Sequence, residues 1–342
     1  MKTVFHIGNP KAWSTSIQSM LVDREGDTYR YLGFRPSANK NEWYSDKNIA
    51  GLLNYDLRFI QSSRFKLKKD KYRKYFEEIY SKCSASGQDL WISSENVSSR
   101  FILEEIGPLE KISRIQEILS GKILFVVIFR NIYETIQSIY LEYLKQGYTK
   151  TFTDFCDETY LFREANFLYS LFPGHQLTSL HSIITDSNDL KSHFISADKK
   201  NTGKKLLEFL SSIITGTQFT ELENKNTAIY KNNAEKCRRK NSNSLSMLDA
   251  TGMIENHRIF WHLEQELQEY FDTAIWGKLR RQMEIRNKVM STSNHNGHSL
   301  KITGYLKEFL DETFVLDQQM AGKYFDPDAC HDYQELWKEN EK

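Results

Sequence analysis

The uninterrupted apolar run Ile123-Leu-Phe-Val-Val-Ile-Phe129 constrains the fold more than any other segment of this chain. A run of this length, rich in β-branched and aromatic residues, is typical of a strand that is buried on both faces. Such a strand belongs in the middle of a parallel sheet with helices on either side. The run therefore predicts an α/β protein.

Neighbouring segments support this prediction. Residues 3–8 and 89–93 are short apolar segments, and residues 27–33 alternate as a strand does. Ser14 or Thr15 is expected to cap a helix that runs to about residue 22. Apolar residues at helical spacing predict another helix over 132–146, directly after the apolar run. Alternating strands and helices predict a three-layer fold with a central parallel sheet.

The remainder of the chain is expected to be mostly helical. No internal repeat divides it, so we expect one domain over residues 1–342, with an α/β core to about residue 245 and a helical portion over about 246–342. The predicted helices after residue 155 cover residues 162–172, 204–214, 257–271, 276–289 and 300–316.

Charge and cysteine content exclude several classes of protein. The 46 Lys and Arg residues balance 45 Asp and Glu residues, for a net charge of +1, so we expect no nucleic-acid partner. The four cysteines are far apart and form no C-x-x-C pair, which indicates a reducing compartment. The longest apolar run is far shorter than the roughly 20 residues of a membrane helix. We therefore expect a cytoplasmic protein without a transmembrane segment.

The segment from His6 to Gln18 places a lysine-containing turn between a strand and a helix. Free amides at a helix N-terminus bind anions, Lys11 adds a cation, and Ser14 and Thr15 add hydroxyl donors. The segment lacks the G-x-x-x-x-G-K-[ST] pattern of nucleotide-triphosphate sites, which weighs against ATP or GTP. An ordinary turn with a solvated lysine is the alternative.

A second anion site is predicted after the apolar run. Arg130 ends that strand, and Ser138 lies two turns into the next helix. Both are expected near the carboxyl ends of the strands, where open α/β sheets bind ligands. An arginine fork with a hydroxyl suits a phosphate. Two such sites on successive strand–helix junctions predict a ligand with two separated phosphate groups.

The motifs together resemble one enzyme family. Gly8-Asn-Pro-Lys-Ala-Trp-Ser-Thr15 follows the first strand, Ser93-Ser-Glu95 another, and Arg130-Asn-x-x-Glu-x-x-x-Ser138-x-Tyr140 a third. This order resembles the sulfotransferases that use 3′-phosphoadenosine 5′-phosphosulfate (PAPS), especially bacterial members acting on carbohydrates or small metabolites. The similarity covers residues 3–22 and 89–157 and is faint beyond residue 160.

The resemblance implies a P-loop-like fold and roles for individual residues. Arg130 and Ser138 would hold the 3′-phosphate of PAPS, and Arg239, just before the segment 241–245, would assist them. No metal is implied. The residues that would hold the 5′-phosphosulfate are Lys11, Ala12, Trp13, Ser14, Thr15 and Ser16.

Trp13 departs from the pattern of that family, which usually has glycine in the loop. Glycine lets the backbone approach phosphate with few steric limits. A tryptophan side chain could instead stack on adenine, form a wall of the acceptor pocket, or pack inward.

Glu95 is the candidate general base. Sulfuryl transfer to a hydroxyl needs a proton acceptor near the attacking oxygen and cations near the departing phosphate. Glu95 fits the first role and Lys11 the second, while Ser93 and Ser94 could orient Glu95 or contact the donor. Glu95 could instead cap the next helix or pair with Arg100. His6 is either a structural residue of the first strand or a member of the site.

The acceptor is not specified by the sequence. A carbohydrate or glycoconjugate hydroxyl is the first hypothesis and a small natural product, sulfated on oxygen or nitrogen, the second. Residues 34–60 and 160–230 are expected to shape its pocket. The basic segment 64–74 either steers an anionic donor or acceptor or is a solvated helix face. A small-molecule kinase and a catalytically silent binding protein are the rival functions.

Overall fold

The structure is a computed structural model that covers most of the chain up to residue 213 and parts of its C-terminal region. The described residues are 1–9, 12–26, 28–35, 44, 46–98, 106–145, 152–161, 168–184, 187–194, 202–213, 302, 304–325, 330, 333, 334 and 337.

Five parallel strands form one sheet in the order β2-β3-β1-β4-β5. The middle strand β1 has two partners, so Thr3 is paired with Leu90 on one side and with Ile123 on the other. The predicted α/β class with a central parallel sheet is therefore confirmed. The strands are β1 (Thr3–Gly8), β2 (Tyr29–Gly33), β3 (Asp89–Ser94), β4 (Ile123–Phe129) and β5 (Asp189–Phe194).

Helices connect the strands, and one π-helical turn, Leu52–Asp56, continues directly from α2. Asp46 caps α2, because its Oδ1 accepts the backbone N–H groups of Asn48 and Ile49 at 2.8 and 3.0 Å. The helices are α1 (Ser14–Asp23), α2 (Lys47–Gly51), α3 (Ser62–Ala85), α4 (Pro108–Ile118), α5 (Ile132–Lys145), α6 (Phe152–Leu161), α7 (Leu168–Leu171), α8 (Pro173–Ile183), α9 (Thr202–Ile213) and α10 (Gly304–Ala321).

Both faces of the sheet are covered, because every residue of β1 and β4 is buried. On one face, alternate residues such as Val4 and Val126 form a cluster with Ile17 of α1 and Leu210 of α9. On the other face, the rings of Phe5 and Phe125 lie 6.1 Å apart. Burial of both faces explains why β4 is apolar at every position rather than alternately.

Two local predictions differ from the structure. The N-terminus of α1 has no side-chain cap, since Trp13 is its N-cap residue and the Ser14 hydroxyl points back to the Asn9 carbonyl. Strand β5 lies in a region expected to be helical. The predicted helices over 257–271 and 276–289 lie outside the described residues.

The chain divides into two compact units. The first comprises residues 1–135, 163–224 and 311–342 and contains the sheet, and the second comprises residues 136–162 and 225–310. The expected single domain with a core to about residue 245 stays a prediction. Within the part of the chain that the structure describes, no helix has the length and apolar character needed to cross a bilayer.

Candidate functional site

Three predicted site segments lie at the carboxyl ends of neighbouring strands. Gly8 ends β1, Glu95 follows β3, and Arg130 follows β4. Because β1 lies between β3 and β4, the turn after β1 is placed between the other two junctions. Parallel strands bring their carboxyl ends to one edge of the sheet, which is where α/β proteins bind ligands.

Gly8 brings the turn and the candidate base together. A Cβ atom built on Gly8 would lie 2.8 Å from Ser14 Oγ, 3.0 Å from Glu95 Cγ and 3.2 Å from Glu95 Cα. At such distances an added side chain would force Ser14 Oγ and Glu95 to move. The close approach of these two residues therefore favours glycine at this position.

The turn itself is held by hydrogen bonds to the carbonyl of Asn9. The Ala12 N–H donates to this carbonyl at 3.2 Å, and Ser14 Oγ donates to it at 3.3 Å. Ala12 and Ser14 are buried, and Thr15 is half-buried. Lys11, the predicted cation of the turn, lies outside the described residues.

Trp13 adopts a left-handed backbone conformation, with φ 62° and ψ 11°. Among the described residues other than glycine, it alone has a positive φ. This conformation costs an ordinary residue roughly 1–2 kcal/mol and favours glycine. The side chain is half-buried and packs against the cluster of α1, α9 and the sheet, which is the inward-packing alternative. The turn thus has a glycine-like backbone although the residue is tryptophan.

A buried polar cluster lies beneath the turn, on the α1 face of the sheet. His6 Nδ1 and Ser93 Oγ are 2.9 Å apart, and Gln18 Nε2 donates to the same Ser93 oxygen at 3.2 Å. Burial lowers the pKa of His6 from 6.5 to about 4, so the ring is neutral at pH 7. His6 is fully buried and belongs to this internal network. The sequence pattern gave no signal for Gln18.

Some polar atoms of β1, of α1 and of the turn between them are buried without a described partner. They make no hydrogen bond with any described residue, and they are His6 Nε2, Asn9 Oδ1, Ser16 Oγ, Gln18 Oε1 and Ser19 Oγ. Unpaired buried polar atoms cost about 1–3 kcal/mol each unless water or a ligand satisfies them. Ser16, a predicted donor-binding residue, is thus buried with its hydroxyl oxygen unpaired.

The segment after β3 is tied to the turn by three side chains. Ser98 Oγ donates to the carbonyl of Gly8 at 2.6 Å, and Gln176 Nε2 of α8 donates to the carbonyl of Ser98 at 3.3 Å. Gln176 Oε1 in turn accepts from Asn9 Nδ2 at 3.1 Å. Sequence analysis did not identify Ser98 or Gln176, since each acts through contacts with residues distant in the chain.

The π-helical turn lies beside Glu95. Asn96 Nδ2 contacts Asn54 Oδ1 at 3.4 Å, and the Tyr44 hydroxyl donates to the same Asn54 oxygen at 2.6 Å. Burial raises the pKa of Tyr44 to about 12, and the negative charge of Glu95 contributes to the rise. Lys111 Nζ, from α4, donates to the Asn96 carbonyl at 2.6 Å. Tyr44 and Asn54 therefore lie beside the candidate base.

Arg130 and Ser138 occupy different environments. Arg130 Nε donates to Glu134 Oε2 at 2.9 Å, and about a quarter of the Arg130 side chain is exposed. Asn131 begins α5, because its Oδ1 accepts the N–H groups of Tyr133 and Glu134. Ser138 is 5% exposed and belongs to the second compact unit. Arg239, the third predicted 3′-phosphate residue, lies outside the described residues.

Comparison with known proteins gives no match: no protein-family model, no curated protein and no solved structure is significantly similar to this chain. The described residues also contain no group of three or more His, Cys, Asp or Glu side chains arranged to hold a metal ion.

Proposed function

We propose that this chain is a sulfotransferase that moves the sulfuryl group of PAPS to an acceptor hydroxyl. The observation that carries the proposal is the close approach of Gly8 to both Ser14 and Glu95 at the carboxyl edge of the sheet. A carboxylate beside an anion-binding turn repels the ligand electrostatically. Such a carboxylate is useful where a proton must be taken from a nucleophile that attacks the bound anion.

The donor would lie across two junctions of a three-layer, P-loop-like fold. Lys11, Ala12, Trp13, Ser14, Thr15 and Ser16 would surround the 5′-phosphosulfate. The amides at the start of α1 supply the positive end of a helix dipole. The sequence resemblance assigns the 3′-phosphate to Arg130, Ser138 and Arg239. Among these, the Arg130 guanidinium is kept in place by its bond to Glu134.

The reaction is an in-line displacement at sulfur. The acceptor oxygen forms a bond to sulfur while the bond between sulfur and the bridging oxygen of the phosphosulfate breaks. The hydroxyl proton passes to Glu95, and the electron pair of the broken bond remains on adenosine 3′,5′-bisphosphate. Lys11 and the turn amides would stabilise the negative charge that develops on this leaving group.

The acceptor class is proposed from the same edge. Tyr44 and Asn54, beside Glu95, provide an aromatic face and an amide, which are the groups that recognise sugar hydroxyls and ring faces. A carbohydrate or glycoconjugate hydroxyl is therefore the first acceptor class to test. A small natural product is the second.

Replacement of Glu95 by glutamine tests the base assignment. Glu95→Gln preserves the size of the side chain but removes the proton acceptor, so turnover should fall at least about 100-fold. The dissociation constant of adenosine 3′,5′-bisphosphate, measured by calorimetry, should change little. Glu117→Gln is the matched control, because Glu117 is a surface residue of α4 that pairs with Lys69. Wild-type turnover in Glu95→Gln would remove Glu95 from the mechanism.

Nucleotide binding separates this proposal from its rivals. Adenosine 3′,5′-bisphosphate should bind without Mg²⁺, and ATP should bind poorly with or without Mg²⁺. Tight binding of ATP with Mg²⁺ would instead favour a kinase. Tight binding of the bisphosphate with no transfer of labelled sulfate to a panel of hydroxyl and amine acceptors would favour a binding protein.

A further inference from the structure

Helix α3 carries the densest group of positive charges in the described part of the chain. Its segment 64–74 contains seven basic residues and one acidic residue. The apolar face of α3 is buried through Phe65, Tyr72 and Phe76, so the helix is fixed on the protein by that face. The basic residues are therefore presented from the sides and outer face of a firmly packed helix.

Three of these basic residues form ion pairs or hydrogen bonds with other parts of the protein. Lys68 pairs with the buried Asp56 at 3.0 Å, and Lys69 pairs with Glu117 at 2.7 Å. Arg73 Nε donates to the carbonyl of Glu117 at 2.8 Å. These contacts join α3 to the π-helical turn and to α4.

The other four basic residues form what we call the α3 cationic strip. All four are exposed, and none forms an ion pair with a described residue. They are Arg64, Lys66, Lys71 and Lys74. A run of unneutralised cations produces a positive potential that attracts a polyanion.

The lengths of α3 and β3 indicate where the strip lies relative to the carboxyl edge of the sheet. A short connection turns the chain from the end of α3 into β3, against which α3 packs. At about 1.5 Å per helical residue, Lys74 lies about 16 Å from the C-terminal end of α3. This distance is close to the length of β3, whose residues each add about 3.3 Å. Arg64 lies about 15 Å further along the helix. The strip therefore starts near the level of Glu95 and extends away from it.

Contacts within the first unit link helix α3 to the candidate base. Asp56, at the end of the π-helical turn, accepts hydrogen bonds from Lys68 and Tyr72 of α3. Asn54, in the same turn, contacts Asn96, the residue after Glu95. One short segment therefore lies between the helix that carries the strip and Glu95.

We propose that the α3 cationic strip binds an acidic polysaccharide and that this polysaccharide is the sulfate acceptor. The inference rests on the proposed function and specifies its acceptor: an extended chain bearing repeated carboxylates, with one hydroxyl placed at Glu95. The strip is about 15 Å long, which suits a row of charges better than the single nucleotide donor.

A lipid surface fits the strip less well. Helices that lie in a membrane interface insert an apolar face. The apolar face of α3 is in the protein core, and Leu67, 85% exposed, is the one large hydrophobic residue that stands out along the strip. The strip therefore carries positive charge but has almost no apolar surface that could insert into a membrane.

The test compares two doubly substituted proteins of equal net charge. Arg64→Gln with Lys71→Gln removes half of the strip. Lys82→Gln with Lys122→Gln removes two exposed cations near the opposite edge of the sheet. The probes are a fluorescent octamer of polygalacturonate and a neutral maltooctaose, and binding is measured by anisotropy at several salt concentrations.

Wild-type protein should bind the acidic octamer, with an affinity that falls as salt rises, and should not bind maltooctaose. The strip variant should bind the acidic octamer roughly tenfold more weakly, and the control should match wild type. Equal loss in both variants, no binding of the acidic octamer, or tighter binding to phosphatidylglycerol vesicles would each overturn the inference.

Calorimetry with adenosine 3′,5′-bisphosphate on the same proteins separates this inference from the proposed function. Unchanged nucleotide binding with no binding of the acidic octamer would reject an acidic polysaccharide as the acceptor but would leave PAPS as the proposed donor. Octamer binding through the strip without any nucleotide binding would reject the sulfotransferase and leave the strip as a polyanion site.

Discussion

At the scale of single residues, the backbone of Trp13 is the most unusual feature of the candidate site. Strained conformations of this kind persist only where the surrounding structure enforces them, and they occur often at ligand sites. Here the enforcing contacts are the bonds of Ala12 and Ser14 to the Asn9 carbonyl and the packing of the indole. The related family usually has glycine in this loop, but the sequence did not predict that Trp13 would adopt a left-handed backbone.

Two substitutions at position 13 isolate this strain. Trp13→Ala and Trp13→Gly both remove the indole, so they lose the same packing and differ only in backbone preference. Trp13→Gly should be the more stable of the two by about 1 kcal/mol, because only glycine tolerates a φ of 62° without strain. Urea unfolding measures the difference. An alanine variant as stable as the glycine variant would contradict a left-handed backbone at this position.

His6 should make stability depend on pH. Its pKa is about 4 in the folded protein because of burial, against 6.5 as the ordinary value, so the unfolded chain binds more protons between these values. Folding stability should therefore decrease as the pH falls from about 6.5 to 4, by about 2 kcal/mol between pH 7 and pH 5.

The variant His6→Asn provides the comparison, since asparagine can still contact Ser93 but does not titrate. Its free energy of unfolding will be lower overall because the imidazole is lost. The informative quantity is the slope of that free energy with pH between 5 and 7, which should be smaller than in wild type. An unchanged slope would show that other groups produce the acid sensitivity.

At the scale of elements, α8 begins without a cap of its own and receives one from α10. Asp317 is fully buried, and its carboxylate accepts the backbone N–H groups of Gly174 and His175 at 3.1 and 2.7 Å. The Tyr333 hydroxyl donates to the same carboxylate at 2.9 Å. A negative charge at a helix N-terminus stabilises the helix, so one side chain fixes three elements.

The close packing of this junction depends on Gly174. A Cβ atom there would lie 2.2 Å from the Asp317 carbonyl oxygen and 2.7 Å from the Ala321 nitrogen. Gly174→Ala should therefore lower the free energy of unfolding by about 2–3 kcal/mol, as overpacking against backbone does. Gly203→Ala is the control, because no atom lies within 4 Å of its added Cβ. Equal thermal stability of the two variants would contradict the packing of α8 on α10.

Elements with a strong local pattern were predictable from the sequence, and those fixed by distant contacts were not. The apolar run predicted β4, and the helical spacing of apolar residues predicted α5. The bounds of both elements agree with the structure to within a residue or two. Strand β5, Asp189-Leu-Lys-Ser-His-Phe194, is an edge strand with polar residues, so it lacks the apolar signal of a buried strand. The junction of α8 and α10 joins residues more than a hundred positions apart.

The residues of the candidate site likewise include some that the sequence predicted and some that it did not. Gly8, Ser14 and Glu95 were identified from motifs, and the structure places both Ser14 and Glu95 close to Gly8. Whether Glu95 is a base stays a prediction. Asn54 and Gln176 were missed, since an isolated amide residue carries no pattern and acts only after folding brings it to the sheet edge.

At the scale of the whole molecule, the C-terminal segment returns to the first compact unit. The indole of Trp337 stacks on Phe314 with the ring centroids 3.9 Å apart, and it meets Tyr133 at 4.9 Å. All three residues belong to the first unit, whose sequence is interrupted twice. The segment after α10 thus contributes to the same core as the start of α5.

Trp337→Ala should lower the free energy of unfolding by about 3–4 kcal/mol, because a buried aromatic ring is lost from a packed cluster. Leu316→Ala is the matched control on α10, since Leu316 is 58% exposed and should change stability by less than about 0.5 kcal/mol. Chemical denaturation of both variants measures the contrast. A small effect of Trp337→Ala would show that the segment after α10 does not pack in the core of the first unit.

The strand order has a consequence for how the protein is made. β1 leaves the ribosome before the other four strands, yet it occupies the middle of the sheet, and its pairing partners in β3 and β4 are synthesised much later. At about 5–20 residues per second, the nascent β1 waits several seconds for both neighbours. During that interval its apolar side chains need shelter, so this protein should depend on chaperones that bind nascent chains more than on those that act after release.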